Sequence, residues 1–199
     1  MRPREFEQDE VLRIAFEQFW RKGVRGTSLS DIARDAGVQR GSLYNAFGSK
    51  EALFLCAYER YAEVYLGSVQ RALSKGTLRK RLMAFFDVAI ANFCKGSPPR
   101  GCPTTRGLME VSQVEGEGLD ENARQAFADL LTRLIGLIER ALREGRGRGE
   151  FDGDTRTAAL HIVTIARGLV VLERAFGDEA QLRGIARHTV DIVLHGVRP

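Results

Sequence analysis

GVRGTSLSDIARDAGVQRGSLYNAFGSKEALF, residues 23–54, decides the fold. Leu29, Ile32, Ala33 and Ala36 recur at helical spacing, and the run stops at Gly37. Ser28 with Asp31 three residues on has the capping-box pattern that starts a helix. Beyond the glycine turn a second short helix covers about 39–46, with Leu43 and Phe47 inward and Gly48 ending it. Ser49 then suits the N-cap of a much longer helix carrying Leu53, Ala57, Tyr61, Val64 and Tyr65 towards Leu73. Upstream, Leu12, Ala15, Phe16 and Phe19 give a supporting helix from about residue 5 to Lys22. A supporting helix followed by two short ones has the layout of a helix-turn-helix, whose second short helix enters the DNA major groove. Helix pairs of this kind also occur without a DNA role, so spacing alone leaves both readings open.

Outward from this stretch the helical period continues. Helices are expected near 77–95, 104–114, 119–145, 154–176 and 178–196, separated by glycine- and proline-rich breaks at 95–103, 115–118, 145–154 and 176–178. The chain therefore reads as all-α with about nine helices. Its 199 residues, 44% of them hydrophobic, are enough for a real core. No apolar run approaches the roughly 20 residues that cross a bilayer, and the charged N-terminus is unlike a secretion signal, so a cytoplasmic location is expected. Cys56, Cys94 and Cys102 are widely spaced, without a CxxC pair, so neither a disulfide framework nor a zinc site is indicated. His188 and His195 lie on one helix but read as ordinary surface or interface residues, and no metal or cofactor is expected. Nor does any nucleophile-base pair or phosphate loop suggest an enzyme. The net charge of +4 is concentrated in residues 21–50, where Arg21, Lys22, Arg25, Arg34, Arg40 and Lys50 face only Asp31 and Asp35. A basic tract of this size fits a polyanion partner or a solvated face.

The order of glycine, threonine, short-helix apolar set, turn glycine, Leu-Tyr, Phe and Ser-Lys-Glu in residues 23–54 strongly resembles the DNA-binding domain of the TetR/AcrR family of bacterial transcription regulators. The resemblance is close over about residues 9–60. It implies a helix-turn-helix domain over 1–48, running into a connecting helix at 49–74, and a ligand-binding and dimerisation domain over 49–199. It further implies a ligand-responsive regulator, most simply a repressor, bound as a homodimer to a pseudo-palindromic operator in double-stranded DNA. A nonspecific or architectural DNA-binding protein with a multidrug-type pocket is the alternative.

On this resemblance the DNA contacts fall to Thr27, Ser28, Gln39, Arg40, Gly41, Ser42, Tyr44, Asn45 and Lys50. Arg40 suits guanine or a phosphate, and Gln39 or Asn45 suits adenine. Tyr44 suits a phosphate first and a thymine methyl second. Thr27 and Ser28 are read as capping their helix, whose N-terminal amides would also face a phosphate. Lys50 stands in the first turn of its helix, where the dipole disfavours a cation unless a phosphate docks there. Gly41 sits in a helix at a cost of about 1 kcal/mol relative to alanine, which close approach to DNA would explain.

The dimer is expected through helices 154–176 and 178–196. In the first, AALHIVTIARGLVVL at 158–172 is apolar on nearly every face; the second carries Ile185, Ala186, Val190, Val193, Leu194 and Val197. Tyr61, Tyr65, Phe86, Phe93, Cys102, Met109 and Phe127 are candidates to line a pocket for a small hydrophobic effector, although the same spacing also makes a core. The Gly-Cys loop at 95–112 resembles that of electrophile- and oxidant-responsive family members, while Pro103, Thr104, Thr105 and Arg106 depart from the apolar residues usual after it. Cys102, near a helix N-terminus and near Arg100 and Arg106 in sequence, is the candidate thiol sensor, with Cys94 as a resolving partner and Cys56 read as core.

Overall fold

The computed structural model describes residues 3–96, 99, 101–111 and 121–196. Among them are nine helices and no strand: α1 Pro3–Lys22, α2 Leu29–Asp35, α3 Arg40–Phe47, α4 Lys50–Ala72, α5 Leu78–Phe93, α6 Pro103–Val111, α7 Glu121–Gly147, α8 Thr155–Phe176 and α9 Glu179–His195. Arg100, Val197 and the break at 115–118 lie outside the described residues. The chain divides into two compact units, Met1–Tyr65 with Arg106–Ala128, and Leu66–Thr105 with Asp129–Pro199. No described helix is long and apolar enough to cross a membrane.

In the first unit the short helices start and stop where local chemistry dictates. The Ser28 side chain accepts the Asp31 amide at the start of α2, and Ser49 Oγ accepts the Ala52 amide at 3.0 Å at the start of α4. Gly37 and Gly48, at φ of 66° and 79°, take the left-handed conformation that lets the chain leave α2 and α3, which a residue with a Cβ adopts only under strain. Thr27 departs from its expected role as a cap. It is buried, and its hydroxyl donates to the Gly23 carbonyl at 2.7 Å, closing the turn before α2.

The core of this unit is aromatic. Phe16 stacks on Tyr61 with centroids 4.5 Å apart, Phe19 meets Phe54 edge-on at 5.3 Å, and Phe127 stands edge-on to Tyr58 at 4.7 Å. On α4, Leu53, Phe54, Ala57, Tyr58, Ala62 and Tyr65 are buried, whereas Val64 is exposed. Cys56 is likewise exposed rather than core, because it falls on the solvent side of the stripe that Leu53, Ala57 and Tyr58 bury.

In the second unit α5 packs against α8 and α9, and α8 against α9. Leu82, Phe85, Phe86, Ile90 and Phe93 of α5 meet this core, with Ile162, Ala166, Leu169, Ala186 and Val190. Arg81 is buried among them; it is held by the Leu73 carbonyl and by Glu144, 2.7 Å away. One chain buries only part of α8, leaving Leu160, Val171 and Phe176 exposed.

Candidate functional site

Helix α3 is amphipathic in the simplest way. Leu43 is buried and fixes the helix to its unit, while Gln39, Arg40, Gly41, Ser42, Tyr44 and Asn45 are exposed. Tyr44, 63% exposed, covers no core, so its ring and hydroxyl are presented outward. Among the described residues, none of the side chains of Gln39, Arg40, Ser42, Tyr44, Asn45 and Lys50 is spent on a hydrogen bond or ion pair. Contrast Arg34 of α2, which is paired with Asp31 at 3.0 Å and Asp35 at 3.2 Å. An added Cβ at Gly41 would meet nothing within 4 Å, so packing inside the protein does not account for the glycine. Ser28 is occupied as a cap, and its hydroxyl, with Lys22 and Arg34 nearby, holds the Asp31 carboxyl below its ordinary range.

The anticipated pocket residues fall in separate places. Tyr61, Tyr65 and Phe127 belong to the aromatic core of the first unit; Phe86, Phe93 and Cys102 are buried in the second; Met109 is exposed. A cleft of about 420 Å3 in the second unit is lined by Arg79, Gly149, Glu150, Phe151, Asp152, Leu194 and His195, none of them anticipated.

Cys102 has the most worked-out surroundings. Pro103 opens α6, a position where its missing N–H costs nothing, so Cys102 stands where an N-cap stands. Gly101 donates its N–H to the Phe93 carbonyl at 3.1 Å, closing the loop that precedes it. The Sγ atom receives Arg167 Nη1 of α8 at 2.9 Å. Burial pushes the thiol pKa up, but the Arg167 charge and the hydrogen bonds from Thr105 and the Thr104 backbone outweigh it, so the net shift is downward. Cys94 moves the other way, raised by burial and by Glu173 and Glu179, which leaves it a poor attacking thiol for the resolving role. Arg106 is not the cation at this thiol. It turns to α1, and the charge comes instead from a residue 65 positions away. A lone arginine inside the apolar run 158–172 was the signal in the sequence that a buried anion faces it. Among the described residues, no group of three or more His, Cys, Asp or Glu side chains is placed to hold a metal ion.

Residues 11–57 match the model for bacterial regulatory proteins of the tetR family, and residues 64–189 match the tetracyclin repressor-like C-terminal domain. The chain belongs to the TetR family. It is a transcriptional regulator of the helix-turn-helix type, and the expectations of an all-α fold and of this family stand. The transcriptional repressor NemR of Escherichia coli is 30% identical over 70% of this chain and 68% of its own length. The crystal structure of reduced E. coli NemR superposes with a TM-score of 0.84 at 23% identity, covering 98% of this chain and all of that one, a likeness of fold. A cysteine mutant of the TetR-family regulator CifR, solved with 26-base-pair operator DNA, superposes at 0.79 with 26% identity over 95% of this chain and 98% of its own. These relatives are regulators rather than enzymes.

Proposed function

We propose that this TetR-family regulator is a cytoplasmic repressor that binds a pseudo-palindromic operator as a homodimer and leaves it when an electrophile modifies Cys102. Residues 1–48 read DNA, and 49–199 carry sensing and dimerisation. The exposed, uncommitted side chains of α3 support the reading surface. The exposed Leu160, Val171 and Phe176 of α8 support a second copy as what covers that helix, since large apolar side chains cluster on a surface where a partner removes them from water. NemR is a repressor and CifR is seen on operator DNA.

The observation that carries the sensing half is the 2.9 Å contact between Arg167 and the Cys102 sulfur. It supports a thiolate held ready in a site only 4% exposed. An α,β-unsaturated carbonyl fits that chemistry: the sulfur adds to the β-carbon, the α-carbon takes a proton from water, and nothing leaves. The product is a neutral thioether. Arg167 then faces no anion, and the new bulk has no room beside buried Pro103 and Thr104, so α6 must shift.

N-ethylmaleimide labelling read peptide by peptide tests this, with exposed Cys56 as the internal comparison. Cys102 should react fastest, and wild-type protein should then lose its operator, which footprinting upstream of its own or a neighbouring gene would locate. Cys102→Ser should bind DNA unchanged and ignore the reagent; a normal response from it would sink the thiol reading. In Arg167→Met the labelling rate at neutral pH should drop and its pH profile move upward, each unit of displacement being worth about tenfold in thiolate. The linkage sign follows from the lowered value. Cys102 contributes stability above the ordinary thiol range and loses it as pH falls through its depressed pKa.

Gly41→Ala separates close approach to DNA from mere tolerance. Stability should rise by up to about 1 kcal/mol while operator affinity falls. Unchanged affinity would leave the glycine without a role at the interface.

A further inference from the structure

The C-terminal end of α1 must place carbonyls that no later turn of helix can bond. The Phe19 carbonyl accepts the Gly23 amide at 2.8 Å, and Thr27 Oγ1 reaches the Gln18 carbonyl at 3.3 Å. Over the Lys22 carbonyl the chain passes at Gly26, where an added Cβ would lie 2.6 Å from the oxygen. Two carbonyls remain, and both are met from α6. Arg106 Nη1 donates to the Trp20 oxygen at 3.1 Å and, more loosely, to the Arg21 oxygen at 3.4 Å. A cation at a helix C-terminus also meets the negative end of the dipole, so the contact is favourable twice over.

Arg106 is held where it can do this. The neighbouring residue, Gly107, lies so close to the Phe127 ring that an added Cβ would be 2.2 Å from Cζ, and α6 is thereby seated on α7 within the same unit. The end of α1 leads straight through Gly23–Thr27 into α2, and so into the reading head. Four residues before Arg106 in the same stretch of chain stands Cys102, about 6 Å away along a helix axis at 1.5 Å per residue.

We propose that Arg106 is a positioning residue for DNA reading: by capping α1 from α6 it fixes the angle at which α2 and α3 are offered to the operator, and displacing α6 withdraws that cap. The second half rests on the thiol reading of Cys102. Coupling then needs no motion of the sensor thiol towards the DNA. It needs only that α6 shift enough to break two hydrogen bonds, because the bonds of a charged donor are lost steeply with distance.

The test uses the full-length protein, the footprinted operator and N-ethylmaleimide. Arg106→Ala should stay dimeric and label at Cys102 at the wild-type rate, yet bind the operator at least roughly tenfold more weakly before labelling, since both heads of the dimer lose charged hydrogen bonds. The ratio of Kd after labelling to Kd before should collapse towards one. Amide exchange across residues 23–28 should quicken, which a general loss of stability would not confine to that segment. Arg106→Lys, which keeps the charge and one donor, should restore part of the affinity, and it carries the test if the alanine variant does not fold. Wild-type affinity in Arg106→Ala, or an undiminished ratio, overturns the proposal. If wild-type protein is not released by labelling at all, the thiol reading has failed, and the unlabelled affinity alone then decides whether Arg106 positions the head.

Discussion

Arg40→Ala should weaken operator binding by about 30-fold to 10⁴-fold. One Arg contact to a base or phosphate is worth about 1–3 kcal/mol, and the dimer loses it in both half-sites. The size of the effect follows from what the side chain is not doing in the free protein. Arg40 is exposed at the first residue of α3, and none of its donors is committed within the described residues, so the whole guanidinium is available to DNA. The pattern of loss distinguishes the two contacts. If Arg40 reads guanine, one base pair in each half-site loses its preference. If it holds a phosphate, all sequences weaken together and the salt dependence shallows by about two counterions per dimer. Binding isotherms over a set of point-mutated operators at two salt concentrations make the distinction. A loss below threefold, or wild-type protein that binds a scrambled duplex as tightly as the operator, would end the sequence-specific account.

The largest effect on stability is expected at Phe127. Truncating it to alanine should cost about 3–5 kcal/mol, the range for a buried Phe whose cavity cannot close. Closure is poor here for a structural reason. The ring is fully buried, edge-on to Tyr58 at 4.7 Å and to Phe54 at 6.1 Å, and its remaining neighbour is Gly107, which has no side chain to relax into the space. The aromatic pairs add about 0.5–1.5 kcal/mol beyond the buried area. At 2–4 °C per kcal/mol for a chain of this size, Tm should fall by roughly 6–20 °C. Variants must be compared at equal protein concentration, because dimer formation makes Tm depend on it. A loss under about 1 kcal/mol by denaturant unfolding would show that the ring is not the prop it is taken to be.

The sequence by itself determined what depends on neighbours along the chain. Helix spacing, the serine caps at Ser28 and Ser49, and the glycine stops at Gly37 and Gly48 are local chemistry, and the structure places them within a residue or two of their expected positions. So does the outward face of α3, because one buried leucine on an eight-residue helix fixes which side remains for solvent. Periodicity says which residues share a face, however, and not what that face meets. Val64 and Cys56 lie on a helix whose buried stripe is narrower than their spacing suggested, and both are exposed. Thr27 has the chemistry of a cap but faces inward, so the turn took its hydroxyl instead. The cation at Cys102 was sought among its sequence neighbours, whereas packing in the second unit supplies Arg167 and sends Arg106 to the end of α1. Only the tertiary structure could decide those last two pairings, since a guanidinium at the end of a long side chain bonds whatever anion or carbonyl the packing of helices distant in sequence brings within 3 Å or so.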